Sequence, residues 1–394
     1  MRTCTWVALF LASAGCYSSY ETSEGRDGAV PLDGGVERDA RVEPSELWLR
    51  VLDSAARLPI EGADVTLRSG AFSVVVHTDA MGIARTAAPE AATFDLEVVA
   101  AGRPVRTSLA VPVAELREGL DYLLEPARYV RIRGRWSGRA RPDSYVAVDA
   151  TAARDVVTVG DTFEIEVPAD APIELWVLEQ GERTIGELVI FTSARVDLPP
   201  LSTDLEGLEV VLEPARTSRR MLRVPRAPAG HAMHDAHLQA RVLGSHSRPT
   251  VGVAYPRGRD DRVHELEIVW VDEVERPTLA LIATAAETVY AFVDVEDLDA
   301  FSWLDVPRFP SAVRPGGSVV IERAAPFTVV IFGELVGDRV QSLWTLDTDQ
   351  SRFSVPELPA SLRTARIEEV VIVGAMGDRF APRLDQLTFA AATP

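Results

Sequence analysis

An internal repeat is the feature that most constrains how this chain can fold. The segment Pro112–Gly119 leads into Leu123–Arg128, and 88 positions later Pro200–Gly207 leads into Val211–Arg216 at the same internal spacing. A looser third copy covers residues 310–325. Each copy reads as a loop, a last strand and a proline that ends the strand, because proline cannot donate to the hydrogen-bond ladder. The repeat predicts β units in series, each long enough to bury its own core.

Hydrophobic residues in the body of the chain mostly alternate with polar ones or form short runs bounded by Gly, Pro, Asp and Ser. This period of two predicts β-strands. It occurs at residues 47–51, 63–67, 94–99, 163–167, 264–270 and 328–332. Only Val113–Glu118 and Val295–Phe301 read as single helical turns. The sequence therefore predicts an all-β fold of tandem small β-sandwich units.

The repeat and the composition together divide the chain into six predicted parts. They are a signal peptide at 1–15, a disordered acidic Gly/Pro tether at 16–45, β-sandwiches at 46–126 and 127–214, a longer β unit at 215–325 and a C-terminal β unit at 326–394.

The N-terminus predicts export. A positive start is followed by the apolar stretch Trp6–Leu11 and then by small residues, the pattern of a secretory signal. The junction Ala14-Gly15-Cys16 resembles the lipobox of bacterial lipoproteins, although Ser13 replaces the usual leucine. That resemblance implies that Cys16 is lipidated, becomes the first mature residue and anchors the protein in the bacterial outer membrane.

An alternative interpretation of the same stretch is ordinary cleavage after residues 12–14, which form an A-x-A-like site. Cleavage there would release a soluble secreted or periplasmic protein in which Cys16 is a stray thiol. The polar, aperiodic stretch beyond it favours the anchored form, because a disordered tether lets a folded body stand off a membrane.

The first unit also carries a family resemblance. Pro59–Leu67, Thr78–Ala84 and Phe94–Gly102 hold turn signals between alternating strands, and together they resemble the carboxypeptidase regulatory-like domain. The resemblance covers roughly residues 47–125 and implies a transthyretin-like, Ig-like β-sandwich that is itself non-catalytic. The arginine-only basicity and the tether resemble lipoproteins of high-GC Gram-negative bacteria of the myxobacterial type.

The charge balance excludes one class of partner. The chain has 40 Lys+Arg against 59 Asp+Glu, a formal net charge of -19, with neither lysine nor asparagine. Nucleic-acid binding needs a basic footprint, so we expect no nucleic-acid partner. The absence of asparagine also removes every N-glycosylation acceptor.

A histidine-rich segment is the sharpest candidate for metal chemistry. His231, His234 and His237, with Asp235, could hold zinc, copper or nickel if the segment forms a turn. Their spacing matches no metalloenzyme motif, so a solvated loop without metal is the alternative. We expect no cofactor.

An arginine run is the second candidate site. Arg131, Arg133 and Arg135 share one face of a predicted strand and could bind a phosphate or carboxylate group of a lipid headgroup or polysaccharide. The alternative is that these arginines pair with acidic residues of the neighbouring unit or are simply solvated. The tryptophans could stack on sugars, but their distribution over all units favours core filling.

The sequence contains none of the G-x-S-x-G, H-E-x-x-H, P-loop or G-x-G-x-x-G motifs. We therefore predict a non-catalytic, lipid-anchored cell-envelope protein with a binding, adhesion or scaffold role, whose partner is an envelope protein or a polysaccharide. The alternative is a metal-dependent or polysaccharide-acting enzyme centred on the histidine-rich third unit.

Overall fold

A computed structural model describes most of the chain beyond residue 45. The residues described are 46–87, 90–184, 187–225, 239–243, 249–259, 263–274, 277–284, 288–294, 309–322, 327–336, 339–376 and 386–392. Strands dominate the regular structure of these residues, and the helices among them are α1 (Val113–Glu118) and a short 3-10 helix (Ala360–Leu362). The predicted all-β fold is confirmed, as is the helical turn at Val113–Glu118.

The first unit is a two-sheet sandwich. Its strands are β1 (Glu46–Asp53), β2 (Asp64–Ser69), β3 (Phe72–His77), β4 (Ile83–Ala87), β5 (Thr93–Val99), β6 (Val105–Pro112) and β7 (Leu120–Leu124). One sheet has the order β4-β1-β7, and the other contains β6-β5-β2-β3. Alternate residues such as Leu49, Leu96 and Tyr122 face inward and form one apolar cluster between the sheets.

The second unit repeats this plan. Its strands are β8 (Tyr129–Ser137), β9 (Tyr145–Ala150), β10 (Asp155–Val159), β11 (Thr162–Pro168), β12 (Ile173–Thr184), β13 (Glu187–Leu198), β14 (Leu205–Val211) and β15 (Glu213–Pro214). The sheets are β10-β11-β8-β14 and β15-β13-β12-β9. Ile132, Ile165 and Leu175 lie in the core between them.

The rest of the chain adds mostly long strands. They are β16 (Thr217–Pro225), β17 (Gln239–Leu243), β18 (Thr250–Arg259), β19 (Val263–Val271), β20 (Thr278–Thr284), β21 (Thr288–Asp294), β22 (Ser318–Val320), β23 (Phe327–Val336), β24 (Arg339–Thr348), β25 (Arg352–Ser354), β26 (Glu369–Met376) and β27 (Gln386–Ala392). Except for the short β22–β25 pair, they join the first unit's outer sheet. The resulting sheet has 14 strands in the order β16-β19-β18-β17-β20-β21-β27-β26-β23-β24-β6-β5-β2-β3.

The two copies of the repeat occupy equivalent places. The strand of the first copy, β7, pairs in parallel with β1, and the strand of the second, β14, pairs in parallel with β8. In both units this strand therefore lies beside the unit's first strand, and an ion pair spans each junction, Arg50 with Asp121 and Arg135 with Glu209. In the looser third copy the short strand β22 instead pairs antiparallel with β25.

The hydrophobic clusters show which parts of the chain share a core. The first two clusters each draw on one predicted unit. A third joins Trp176 and Leu178 of β12 to Leu266 and Ile268 of β19, so the β12 sheet is covered on both faces. A fourth joins Val105 and Leu109 of β6 to the C-terminal strands. Strands of residues 217–284 thus pack on the second unit and the C-terminal strands pack on β6 of the first unit. The boundaries at 126, 214 and 325 stay predictions.

Candidate functional site

The arginine run lies on the outer face of the β8 sheet. Val130 and Ile132 point into the core, so Arg131, Arg133 and Arg135 alternate with them and are exposed. The neighbouring strand β11 brings Glu166 opposite Arg131 and Glu164 opposite Arg133. On the other side, β14 brings Glu209 opposite Arg135. We call this set of arginines and glutamates, together with Glu206, the ladder face.

Each arginine of the ladder face has a carboxylate partner. Arg131 Nε lies 3.1 Å from Glu166 Oε1, and Arg133 reaches Glu164 at 2.7 Å and Glu206 at 2.9 Å. Arg135 pairs with Glu209. The partners belong to the same unit and not to a neighbouring one. Anion binding at Arg131, Arg133 and Arg135 stays a prediction, and an anion would have to compete with these carboxylates.

One carboxylate of the ladder face, that of Glu166, is held in the ionised form. Partial burial alone would raise the pKa of Glu166, but hydrogen bonds from Arg154 and Arg131 outweigh it and hold that pKa below its usual value. Conversely, the hydrogen bond to Glu164 raises the pKa of Arg133. The ladder face is therefore a mixed-charge surface, and the carboxylates cancel the positive charge that the sequence run alone would suggest.

A shallow groove crosses one end of the ladder face. Its volume is about 520 Å³, and its walls are Arg133 and Arg135 on one side and Val157 and Val159 of β10 on the other. Thr162 also lines it, and its short side chain lies between Val159 and Arg135 in the register of the sheet. Glu164 and Glu209 also line the groove, so it combines apolar, cationic, anionic and hydroxyl groups.

A second group of charges lies where β6 meets β24, a junction that we call the seam. Trp344–Asp347 pairs in parallel with Val105–Ser108. Asp347, only 1% exposed, accepts hydrogen bonds from Arg106 at 3.0 Å and from Ser108 at 2.8 Å. The indole N–H of Trp344 donates to Thr107 at 2.9 Å. Sequence reasoning missed the seam, because the strand signal around Asp347 does not reveal its distant partner.

A second buried carboxylate organises a loop of the second unit. Glu179, 0% exposed, lies at a bulge in β12 and accepts hydrogen bonds from the backbone N–H groups of Ala140 and Arg141 and the hydroxyls of Ser144 and Thr192. Burial would raise its pKa, but the hydrogen bonds outweigh it and hold the pKa of Glu179 below its usual value. The carboxylate thereby ties residues 140–144 to the sheet.

The remaining sequence candidates have mixed outcomes. Cys16, His231, His234, Asp235 and His237 lie outside the described residues. Within the described parts of the chain, no group of three or more His, Cys, Asp or Glu side chains is arranged to hold a metal ion, and no helix there is long and apolar enough to span a bilayer. The core-filling interpretation is confirmed for Trp136, Trp176 and Trp344, which are buried.

Comparison with known proteins gives only distant structural similarities. No protein-family model and no curated protein matches the chain. The Bacillus anthracis TIE protein has a TM-score of 0.20 at 10% identity over 60% of this chain, which spans 45% of that protein's length. A shaft pilin SpaA double mutant from Lactobacillus rhamnosus GG has a TM-score of 0.14 at 11% identity, covering 44% of this chain and 98% of the pilin.

Invasin, a bacterial integrin-binding protein, has a TM-score of 0.14 at 9% identity, covering 89% of this chain and 79% of invasin. TM-scores this low carry no argument about function, so the role of this chain has to be inferred from its own residues.

Proposed function

We propose that this chain is a non-catalytic scaffold of the bacterial cell envelope, held to the outer membrane by lipid on Cys16, that presents the ladder face to an envelope protein or polysaccharide. The observation that carries the proposal is the seam. There a buried aspartate joins strands from opposite ends of the chain, which favours a body of fixed geometry over freely jointed units.

Two further buried carboxylates, Glu179 and Asp53, support the same role. Glu179 ties a loop to β12, and Asp53 accepts hydrogen bonds from Ala55 N, Ala56 N and Arg103. A catalytic acid, base or nucleophile must reach a substrate. These carboxylates are enclosed by donors from their own chain, so their chemistry serves to hold backbone segments in place.

The anchor is tested first. The full chain is expressed in a Gram-negative host with labelled palmitate, beside a Cys16→Ser variant. We expect the wild-type protein to carry the palmitate label and to be recovered in the membrane fraction. The Cys16→Ser variant should lose both the label and the membrane association. A wild type without label, or a variant that stays fully membrane-bound, contradicts the anchor.

The proposed binding surface is tested by photo-crosslinking of bound partners from two exposed positions, one beside the ladder face and one away from it. A photo-reactive thiol reagent is attached at Val211→Cys, beside the ladder face, or at Val320→Cys on the short strand β22, since both valines are exposed. Thiol chemistry is needed because the chain has no lysine. We expect the same envelope component to be captured repeatedly from position 211 and not from 320. Equal capture from both positions, or none, argues against the ladder face.

A further inference from the structure

Strand β10 is an edge of the ladder-face sheet with little protection. It has the sequence Asp-Val-Val-Thr-Val over 155–159, without proline or basic residues. Val156, Val157 and Val159 are 38%, 48% and 71% exposed. Proteins usually block such edges with charges, proline or bulges, because an unpaired edge is a template for another strand.

The hairpin that β10 makes with β11 determines which backbone groups face outward. Val159 pairs with Thr162 across a two-residue turn in which Gly160 has φ 60°, the geometry of a tight hairpin. In an antiparallel pair, alternate residues direct their N–H and C=O groups to the same neighbour. Asp155, Val157 and Val159 therefore bond toward β11, while Val156 and Thr158 present their backbone groups at the free edge.

We propose that β10 pairs antiparallel with β10 of a second copy of this chain, with the two-fold axis at Val157. This register places Val156 of one copy opposite Thr158 of the other, so the outward backbone groups of both copies meet. Val157 then faces its own counterpart as a non-hydrogen-bonded pair, in which side chains approach most closely. The four-stranded sheet of each copy continues into the other.

The side chains of β10 fit a second copy. In this register Asp155 lies opposite Val159, so no like charges are apposed. An arrangement with a two-fold axis is the commonest form of homo-oligomer. These features favour a copy of this chain over an unrelated strand.

The pairing is expected to be weak in dilute solution. A five-residue strand offers less contact than the roughly 1,200 Å² of a standard stable interface. Confinement on a surface raises the effective concentration and so favours such a contact. The pairing does not depend on the proposed anchor, which only strengthens it.

Disulfide trapping tests the register directly. Val157→Cys is introduced into the full chain and oxidised mildly on membranes, or in concentrated solution if the chain proves soluble. Non-hydrogen-bonded antiparallel pairs bring Cα atoms within disulfide range, so we expect a disulfide-linked dimer. Val75→Cys is the matched control, because Val75 is a similarly exposed valine on the edge strand β3. The wild type, which has only Cys4 and Cys16, gives the background.

A second variant separates pairing from general thiol reactivity. Thr158→Pro removes an outward N–H but no bond to β11, and proline is tolerated at such edge positions. We expect Val157→Cys/Thr158→Pro to lose the dimer band while circular dichroism stays unchanged. Equal dimer formation by Val75→Cys, no dimer from Val157→Cys, or a dimer that survives Thr158→Pro in a folded chain overturns the proposal.

Discussion

Asp347 Oδ2 lies 3.0 Å from Arg106 Nε, although 241 positions separate the two residues in the chain. Both side chains are largely buried, Arg106 at 12% exposed and Asp347 at 2%. Ser108 donates to the same carboxylate, and the Tyr122 hydroxyl contacts Ser108 in turn. The first unit is thereby joined to the C-terminal part by a hydrogen-bonded network as well as by strand pairing.

Replacing Asp347 should weaken the junction between β6 and β24. Asp347→Ala removes the buried carboxylate that pairs with Arg106, and loss of one partner of a buried pair costs about 3–5 kcal/mol. We expect urea denaturation to show a decrease of this size in the free energy of unfolding of the Asp347→Ala variant. The control is Asp121→Ala, whose partner Arg50 is partly exposed, so its cost should stay within about 1 kcal/mol. Equal effects of the two variants would show that the seam contributes little.

Glu179 makes stability depend on pH. Its folded-state pKa lies below its usual value, so the ionised carboxylate stabilises the fold above the unfolded pKa of about 4.3. That contribution disappears as the pH falls through the folded pKa. We expect Glu179→Gln to cost roughly 2 kcal/mol at neutral pH, as for hydrogen bonds to charged groups, and less in acid.

Urea denaturation at neutral pH and near pH 3 measures the difference between wild type and Glu179→Gln. The control Glu182→Gln changes an exposed carboxylate on the same strand and should shift stability little at either pH. A cost that stays constant across the pH range would mean that the charge of Glu179 does not contribute.

Local patterns predicted a large part of this fold. Alternation placed the strands and the shared face of Arg131, Arg133 and Arg135, and the repeated segments proved to be closing strands beside β1 and β8. The seam could not be predicted, because the parallel pairing of 105–108 with 344–347 depends on tertiary packing. Glu179 was also missed. It lies at a bulge in β12, and the alternation of a regular strand does not reveal which hydrogen-bond donors will surround its side chain.

Gly134 is required for the packing beneath the groove. A Cβ at this position would lie 2.5 Å from the Phe163 ring and 2.6 Å from the carbonyl oxygen of Leu208. Gly134→Ala should therefore lower the free energy of unfolding by about 1–3 kcal/mol, the usual cost of overpacking a core. Thermal and urea unfolding check this. The control Ser137→Ala, at an exposed position on the same strand, should change the free energy of unfolding little. If Gly134→Ala also left it unchanged, the sheet would have to relax around the added methyl group.

The carboxylates of the ladder face should decide whether it takes up anions. Glu164 and Glu206 both pair with Arg133, so Glu164→Gln/Glu206→Gln frees the guanidinium for paired donation to a phosphate. We expect calorimetry at low salt to detect tighter inorganic phosphate binding by this variant than by the wild type. Glu61→Gln/Glu118→Gln changes the net charge equally at exposed positions elsewhere and should not bind more tightly. Equal affinities in the two variants would point to net charge alone, and strong binding by the wild type would mean that the carboxylates yield readily to an anion.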